Sequence, residues 1–221
     1  MKADLHAHTH FSRDALTSVE TFARRYRQAE IDCVAVSDHN NIDGALAVRE
    51  VAPFQVIVAE EIRSTEGEII GLFLQEGVRK GLTPEDTVRA IREQGGLVLV
   101  PHPFDRLRRS PLGEEAMLRI LPDIDIIEVF NSRTILAVDD DRARRFAEEH
   151  DKLMSAATDA HTPWEIGRAY TELPPFEGPG GFLLALKKGS IVGRRSFVGF
   201  HVLSTLAKIR WRLHLGRRVA R

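Results

Sequence analysis

Cysteine is nearly absent from the chain, which has a single one in 221 residues. No internal disulfide can therefore brace the fold. Cys33 lies in the apolar run Ile31-Asp32-Cys33-Val34-Ala35-Val36, where a buried structural thiol is expected. No apolar stretch approaches the roughly 20 residues that span a bilayer, and Met1-Lys2-Ala3-Asp4-Leu5-His6 lacks the apolar run of a secretory signal, so a cytoplasmic protein is expected. Acidic residues are missing after Arg194, although the formal net charge of the whole chain is only -1. Attraction to an anionic partner is thus confined to the tail rather than spread over the molecule. Neither a Gly-x-x-x-x-Gly-Lys-Ser/Thr phosphate loop nor a Gly-x-Ser-x-Gly elbow occurs, which argues against P-loop chemistry and a serine nucleophile. Repeats and linkers are also lacking. With 43% hydrophobic and 29% charged residues, the length fits one globular domain with a substantial core.

What is present is an α/β alternation. Runs at Ala3 to His6, Cys33 to Ser37, Gln55 to Glu61, Ile69 to Leu74, Leu97 to Pro101, Ile124 to Phe130 and Leu153 to Ala157 read as strands. Thr17-Ser18-Val19-Glu20 reads as a capping box opening a helix to about Ala29. Thr83-Pro84 opens another, closed by Gly95-Gly96, and further helices are expected over Asp139 to His150 and Gly181 to Lys188. Strands separated by helices imply a parallel sheet, open or closed. Polar residues at successive strand ends favour a barrel, whose chemistry gathers at the C-terminal ends of its strands.

Those polar residues are suited to metal ions. His6 and His8 flank Ala7, and strand geometry points both imidazoles to one side. Asp38-His39-Asn40, Glu60-Glu61, Pro101-His102-Pro103 and Thr158-Asp159-Ala160-His161 end later strands. Charged groups and imidazoles buried there would be costly without a cation to share. His10 continues the alternate spacing but is read as a loop residue, and Glu60 as an exposed or supporting neighbour of Glu61.

Taken in order, Asp4-Leu5-His6-Ala7-His8-Thr9-His10-Phe11-Ser12-Arg13-Asp14, Ser37-Asp38-His39-Asn40, Ala59-Glu60-Glu61-Ile62, Pro101-His102-Pro103 and Asp159-Ala160-His161 resemble the motif set of the PHP (polymerase and histidinol phosphatase) superfamily. The resemblance runs from residue 1 to about 170 and implies a distorted (β/α)7 barrel with a multinuclear metal centre. It implies that His6, His8, Glu61 and Asp159 hold one ion, that Glu61 bridges to a second bound by His102, and that Asp14, His39 and His161 hold a third. Where many members carry another histidine, this chain has Glu68, either a ligand or a solvent-facing hairpin residue. Two or three ions of manganese, iron or zinc are the expected cofactors.

A phosphate substrate also calls for guanidinium donors. Arg106, Arg108 and Arg109 after the Pro-His-Pro turn, Arg133 and Arg168 are the candidates, with Arg106, Arg133 and Arg168 preferred. Asp159 and His161 are the expected proton-handling residues, and Trp164 is expected to pack. The expectation is a metal-dependent phosphatase or nucleotidase acting on a phosphate monoester or nucleotide. A 5′–3′ exonuclease on RNA or DNA, or a binding domain that has lost its metals, are the competing readings. In the tail, Val202, Leu206, Ile209 and Leu213 share one helical face. Packing of that stripe on the barrel is expected, in preference to contact with nucleic acid or anionic lipid.

Overall fold

The computed structural model of the protein describes residues 1–108, 110–200 and 202–209. The strands are β1 (Lys2–Ala7), β2 (Cys33–Val36), β3 (Gln55–Arg63), β4 (Glu68–Leu72), β5 (Leu97–Val100), β6 (Ile126–Asn131), β7 (Leu153–Ala157), β8 (Ala169–Glu172) and β9 (Ser190–Gly193). The helices are α1 (Val19–Gln28), α2 (Asp43–Val51), α3 (Pro84–Glu93), α4 (Glu114–Arg119), α5 (Ala137–Glu149) and α6 (Gly178–Leu186). The strands form one sheet in the order β7-β6-β5-β4-β3-β2-β1-β8-β9. Its β7 end curls back to β1, where Asp159 N donates to His6 O at 2.7 Å and His8 N to Ala160 O at 3.1 Å. The sheet is therefore a nearly closed barrel.

Sheet direction departs from the all-parallel expectation. The segments β1-β2-β3 and β5-β6-β7 are parallel, but β4 runs antiparallel to both β3 and β5, and β8 and β9 are antiparallel additions. The cause at β4 is local. Only Ser64 to Gly67 separate it from β3, closed by Ser64 N donating to Gly67 O at 2.9 Å, and a turn that short cannot make a crossover. Reversal of β4 has a functional consequence: its first residue, Glu68, falls at the same end of the barrel as the C-terminal ends of its neighbours.

Two apolar layers hold the sheet. One contains Leu5, Ala35, Ile57, Ile70, Leu99 and Ile126, closed off by Phe182 of α6. The other packs Val34, Val58, Ile69, Val98 and Ile127 against Phe22 and Tyr26 of α1, Val48 of α2, Ile91 of α3 and Phe146 of α5. Cys33 is buried and free. Its thiol is pushed up to about 12, first by burial and then by Asp32 and Asp4, which makes it a packing residue. Ser18, one residue later than the expected box, caps α1 by accepting from Thr21 N, and Thr83 caps α3 by accepting from Asp86 N.

The tail is helical at residues 199–200 and 202–209, but not in the expected orientation. Val202, Leu206 and Ile209 are 60%, 54% and 48% exposed, whereas Ser204 and Ala207 are buried. The described part of the expected helix is present, yet its small polar face turns inward, where Ser204 meets Arg133 of the barrel. Leu213 and Arg109 lie outside the described residues. No helix among the described residues is long and apolar enough to cross a membrane.

Candidate metal centre

Irregular backbone aims the site. A bulge in β1 between Asp4 and Ala7 breaks the alternation, so that Asp4 Oδ2 accepts from Tyr26 Oη of α1 at 2.8 Å while His6 joins His8 inside the barrel. A second bulge, between Glu128 and Phe130 of β6, lets Glu128 and Asn131 reach the same centre. Asn40, His102 and Asp159, each just past a strand, take positive φ of 57°, 31° and 52°. Such conformations are costly for residues with a Cβ and cluster where side chains must be presented.

Residues on or just after six strands, β1 to β5 and β7, and Asp14 in the loop after β1 thereby bring their imidazoles and carboxylates together. His6 Nε2 lies 3.1 Å from His8 Nε2, 3.5 Å from Glu61 Oε2 and 3.6 Å from Asp159 Oδ1. His8 Nε2 is 3.4 Å from Glu61 Oε2 and 3.3 Å from Asp159 Oδ1. Ligands held about 2.0–2.1 Å from a tetrahedral ion are separated by roughly 3.3–3.4 Å. Glu61 Oε1 turns the other way, 3.2 Å from His102 Nε2, and Glu68 Oε2 is 4.0 Å from the same nitrogen. With a side chain only 13% exposed, Glu68 faces the cluster, not solvent. On the open side, Asp14 Oδ1 lies 3.4 Å from His39 Nε2 and 3.6 Å from His161 Nε2. The donor atoms of His6, His8 and Glu61, of His6, His102 and Asp159, of His8, His39 and His161, and of His39, Glu61 and Glu68 form groups compact enough to hold a metal ion.

The electrostatics fit cations as well. Asp14 Oδ1 and Asp159 Oδ1 are buried with no hydrogen-bond partner among the described residues, an expensive state unless an ion is shared. Burial alone would lower the His6 and His39 pKa values, but carboxylates outweigh it and raise both well above the ordinary value: Asp159, Glu61 and Glu128 around His6, Glu61 and Asp14 around His39. His8 is lowered to about 3, by burial and then by the neighbouring His161 and His39. Burial opposes ionisation of Glu61, yet His39, His6 and His102 hold it well below its usual value. Asp159 is likewise depressed against burial, by Arg108 and His6. Imidazole ligands must shed their protons to bind an ion, so metal binding at His6 and His39 would be accompanied by proton release.

Supporting residues include several that sequence reasoning missed. Glu128, 1% exposed, has its Oε1 3.1 Å from His6 Nδ1, while its Oε2 accepts from His102 N and Asn131 Nδ2, both at 2.8 Å. A glutamate amid Ile126, Ile127 and Val129 was the available signal. Asp38 accepts from Thr9 N at 2.8 Å and from the Thr9 and Ser12 hydroxyls, both at 2.6 Å. Glu60, expected to be exposed or supporting, is fully buried on the other face of β3, with Oε2 accepting from Val78 N at 2.7 Å.

Of the arginines, Arg108 reaches the centre, with Nη2 2.5 Å from Asp159 Oδ2. Arg133 lines the adjoining cleft, a cavity of about 440 Å³ that Asp14, His39, Glu68, Arg108 and His161 also border. Arg106 and Arg168 do not reach it. Arg106 is engaged by Asp139 of α5 at 2.9 Å, and Arg168 donates to the Trp164 and Arg195 carbonyls. Trp164, expected to pack, is 58% exposed.

The PHP domain profile matches residues 4–78, and the PHP-associated profile matches residues 139–191. Two uncharacterised proteins of Methanocaldococcus jannaschii are also similar. MJ1587 is 39% identical over 146 residues, covering 60% of this chain and 82% of the relative; MJ0417 is 32% identical over 229 residues, covering 98% and 90%. The chain belongs to the PHP domain family. Among solved structures of PHP type, a two-domain protein from Bacteroides vulgatus containing a predicted PHP-like metal-dependent phosphoesterase shares the fold, with a TM-score of 0.73 and 17% identity. The match covers 88% of this PHP chain and 65% of that one, so this chain spans less than two thirds of its length.

Proposed function

We propose that the protein is a metal-dependent phosphoesterase that hydrolyses a small phosphate monoester or nucleotide. The observation carrying this reading is that the His6 and His8 Nε2 atoms, 3.1 Å apart, each lie 3.3–3.6 Å from both Glu61 Oε2 and Asp159 Oδ1, the spacing of ligands about one ion, with Glu61 Oε1 facing His102. In this reading the four residues hold the first ion, Glu61, His102 and Glu68 a second, and Asp14, His39 and His161 a third. Divalent ions bound there supply Lewis acidity toward phosphoryl oxygens and lower the pKa of a water to near neutrality. Manganese, iron and zinc all suit this mixed imidazole and carboxylate set.

The chain's own residues do the rest. Glu128 fixes the His6 ring through Nδ1, leaving Nε2 toward the cluster. Arg108, paired with Asp159, keeps that carboxylate ionised and lies beside the cleft to receive phosphoryl oxygens. His161, whose Nδ1 lies 2.8 Å from Asp159 O, is held by that contact with Nε2 toward Asp14, as a ligand of the third ion requires. The cleft of about 440 Å³ adjoins a second cavity of about 960 Å³ that shares Asp14, His39, Glu68 and Lys208 with it, and both volumes are in the range of small-ligand sites.

Single-turnover hydrolysis of a phosphate monoester in ¹⁸O-water tests the reading. Label should appear in the released phosphate. Unlabelled phosphate would mean that the carbon–oxygen bond breaks and would contradict attack of water on phosphorus, and retention rather than inversion of configuration with a chiral phosphate ester would reveal a covalent enzyme nucleophile.

A further inference from the structure

The C-terminal helix is a wall of the cleft, and polar anchors fix its place. Ser196 N donates to Ser132 O at 2.6 Å, the Ser132 and Ser196 hydroxyls are 3.0 Å apart, and Arg133 Nη2 donates to Ser204 Oγ at 2.8 Å. Ser204, Thr205 and Lys208 consequently border the cavity beside His39 and Arg108. Lys208 Nζ lies 2.7 Å from Asp14 Oδ2, while Asp14 Oδ1 points to His39 and His161. One carboxylate is thus shared between an ammonium on the helix side and a pair of imidazoles on the barrel side.

That sharing cannot persist unchanged with a metal ion on Asp14. A divalent ion between Asp14, His39 and His161 would repel the Lys208 ammonium a few ångströms away. The side chain is 57% exposed and has a flexible four-carbon stem, so it is free to move to another anion. The phosphate of an ester drawn into the same cavity is the anion within reach.

We propose that Lys208 is a substrate-phosphate-binding residue carried to the active site by the C-terminal helix, exchanging Asp14 for the phosphate once metal occupies the Asp14 side. The inference rests on the phosphoesterase reading. It requires that the ammonium compete with metal at Asp14 yet assist phosphate, a pair of opposite effects that a merely structural lysine would not produce.

Calorimetric titration of the full chain with manganese, then of the manganese-loaded protein with inorganic phosphate, tests this without relying on turnover. Lys208→Ala should bind its weakest manganese ion more tightly and phosphate roughly tenfold more weakly, the effect of one charge-assisted hydrogen bond. Lys208→Arg should recover phosphate affinity. Unchanged phosphate affinity in Lys208→Ala, or manganese and phosphate affinities falling together, would overturn the role of Lys208 while leaving the metal centre standing. Wild-type protein that takes up no manganese, iron or zinc would overturn the metal centre and this inference with it.

Discussion

Single residues in this protein carry unusual electrostatic loads, and Glu60 shows how they separate from the metal cluster. It is fully buried one position from Glu61, but on the opposite face, with Val78 N as its hydrogen-bond donor. Burial raises its pKa to about 7, against a modest lowering by that hydrogen bond. A raised carboxyl pKa means the folded state binds the proton more tightly than the unfolded one. The resulting stability is fully present below the unfolded value of 4.5 and is lost as pH rises through about 7. Glu60→Gln keeps the acceptor for Val78 N and removes the charge. It should melt near wild type at pH 5 and be more stable by roughly 2 kcal/mol at pH 8, an order-of-magnitude figure from the shift. An equal difference at both pH values would sink this account of Glu60. Glu128 is the contrasting case, since it orients a candidate ligand. Glu128→Gln should weaken metal affinity by about 10–100-fold, measured by competition with a chelating dye, with little change in the melting temperature of the metal-free protein.

Elements were legible where caps and periodicity agreed and obscure where they did not. Pro84 behind Thr83 marked α3, and the β-branched run at residues 33–36 marked β2. Helix α2, by contrast, begins after Ile42 with no side-chain cap, and α4 follows Gly113 without one, so neither has a start signal. Strands β8 and β9 are four residues each and mixed in polarity, too short for alternation to show. All the candidate ligands but Asp14, which lies in the loop after β1, were readable from their places at or just past strand ends, but the β1 and β6 bulges that aim His6 and Glu128 leave no mark in a period-2 pattern. Arg106 and Arg168 misled for a related reason: nearness in sequence to a ligand does not determine which way a loop turns. Helix α2 also supports the centre through close approach. A Cβ on Gly44 would lie 1.9 Å from Asp38 Oδ2 and 2.5 Å from Thr9 Oγ1. Gly44→Ala should therefore displace the Asp38 carboxylate that holds Thr9 and Ser12, destabilising the fold by about 1–3 kcal/mol in denaturant titration and reducing bound metal. A variant with wild-type midpoint and metal content would show that this contact is dispensable.

On the scale of the whole molecule, the barrel collects the candidate ligands from positions 6 to 161 of the chain at one end. Reversal of β4 belongs to that arrangement, because it delivers Glu68 to the same rim as Glu61 and His102. Helical residues 202–209 wall the cleft, and the exposed Val202, Leu206 and Ile209 show that hydrophobic periodicity alone does not say which face of a helix a barrel will accept. Every part of the functional reading depends on metal binding by this assembly. The decisive measurement is elemental analysis of the full chain purified without chelators, alongside His6→Ala/His8→Ala. The account predicts two or three manganese, iron or zinc ions per folded wild-type chain and loss of metal with phosphoester hydrolysis in the double variant. One ion or none in folded wild-type protein, even after incubation with these metals, would contradict it.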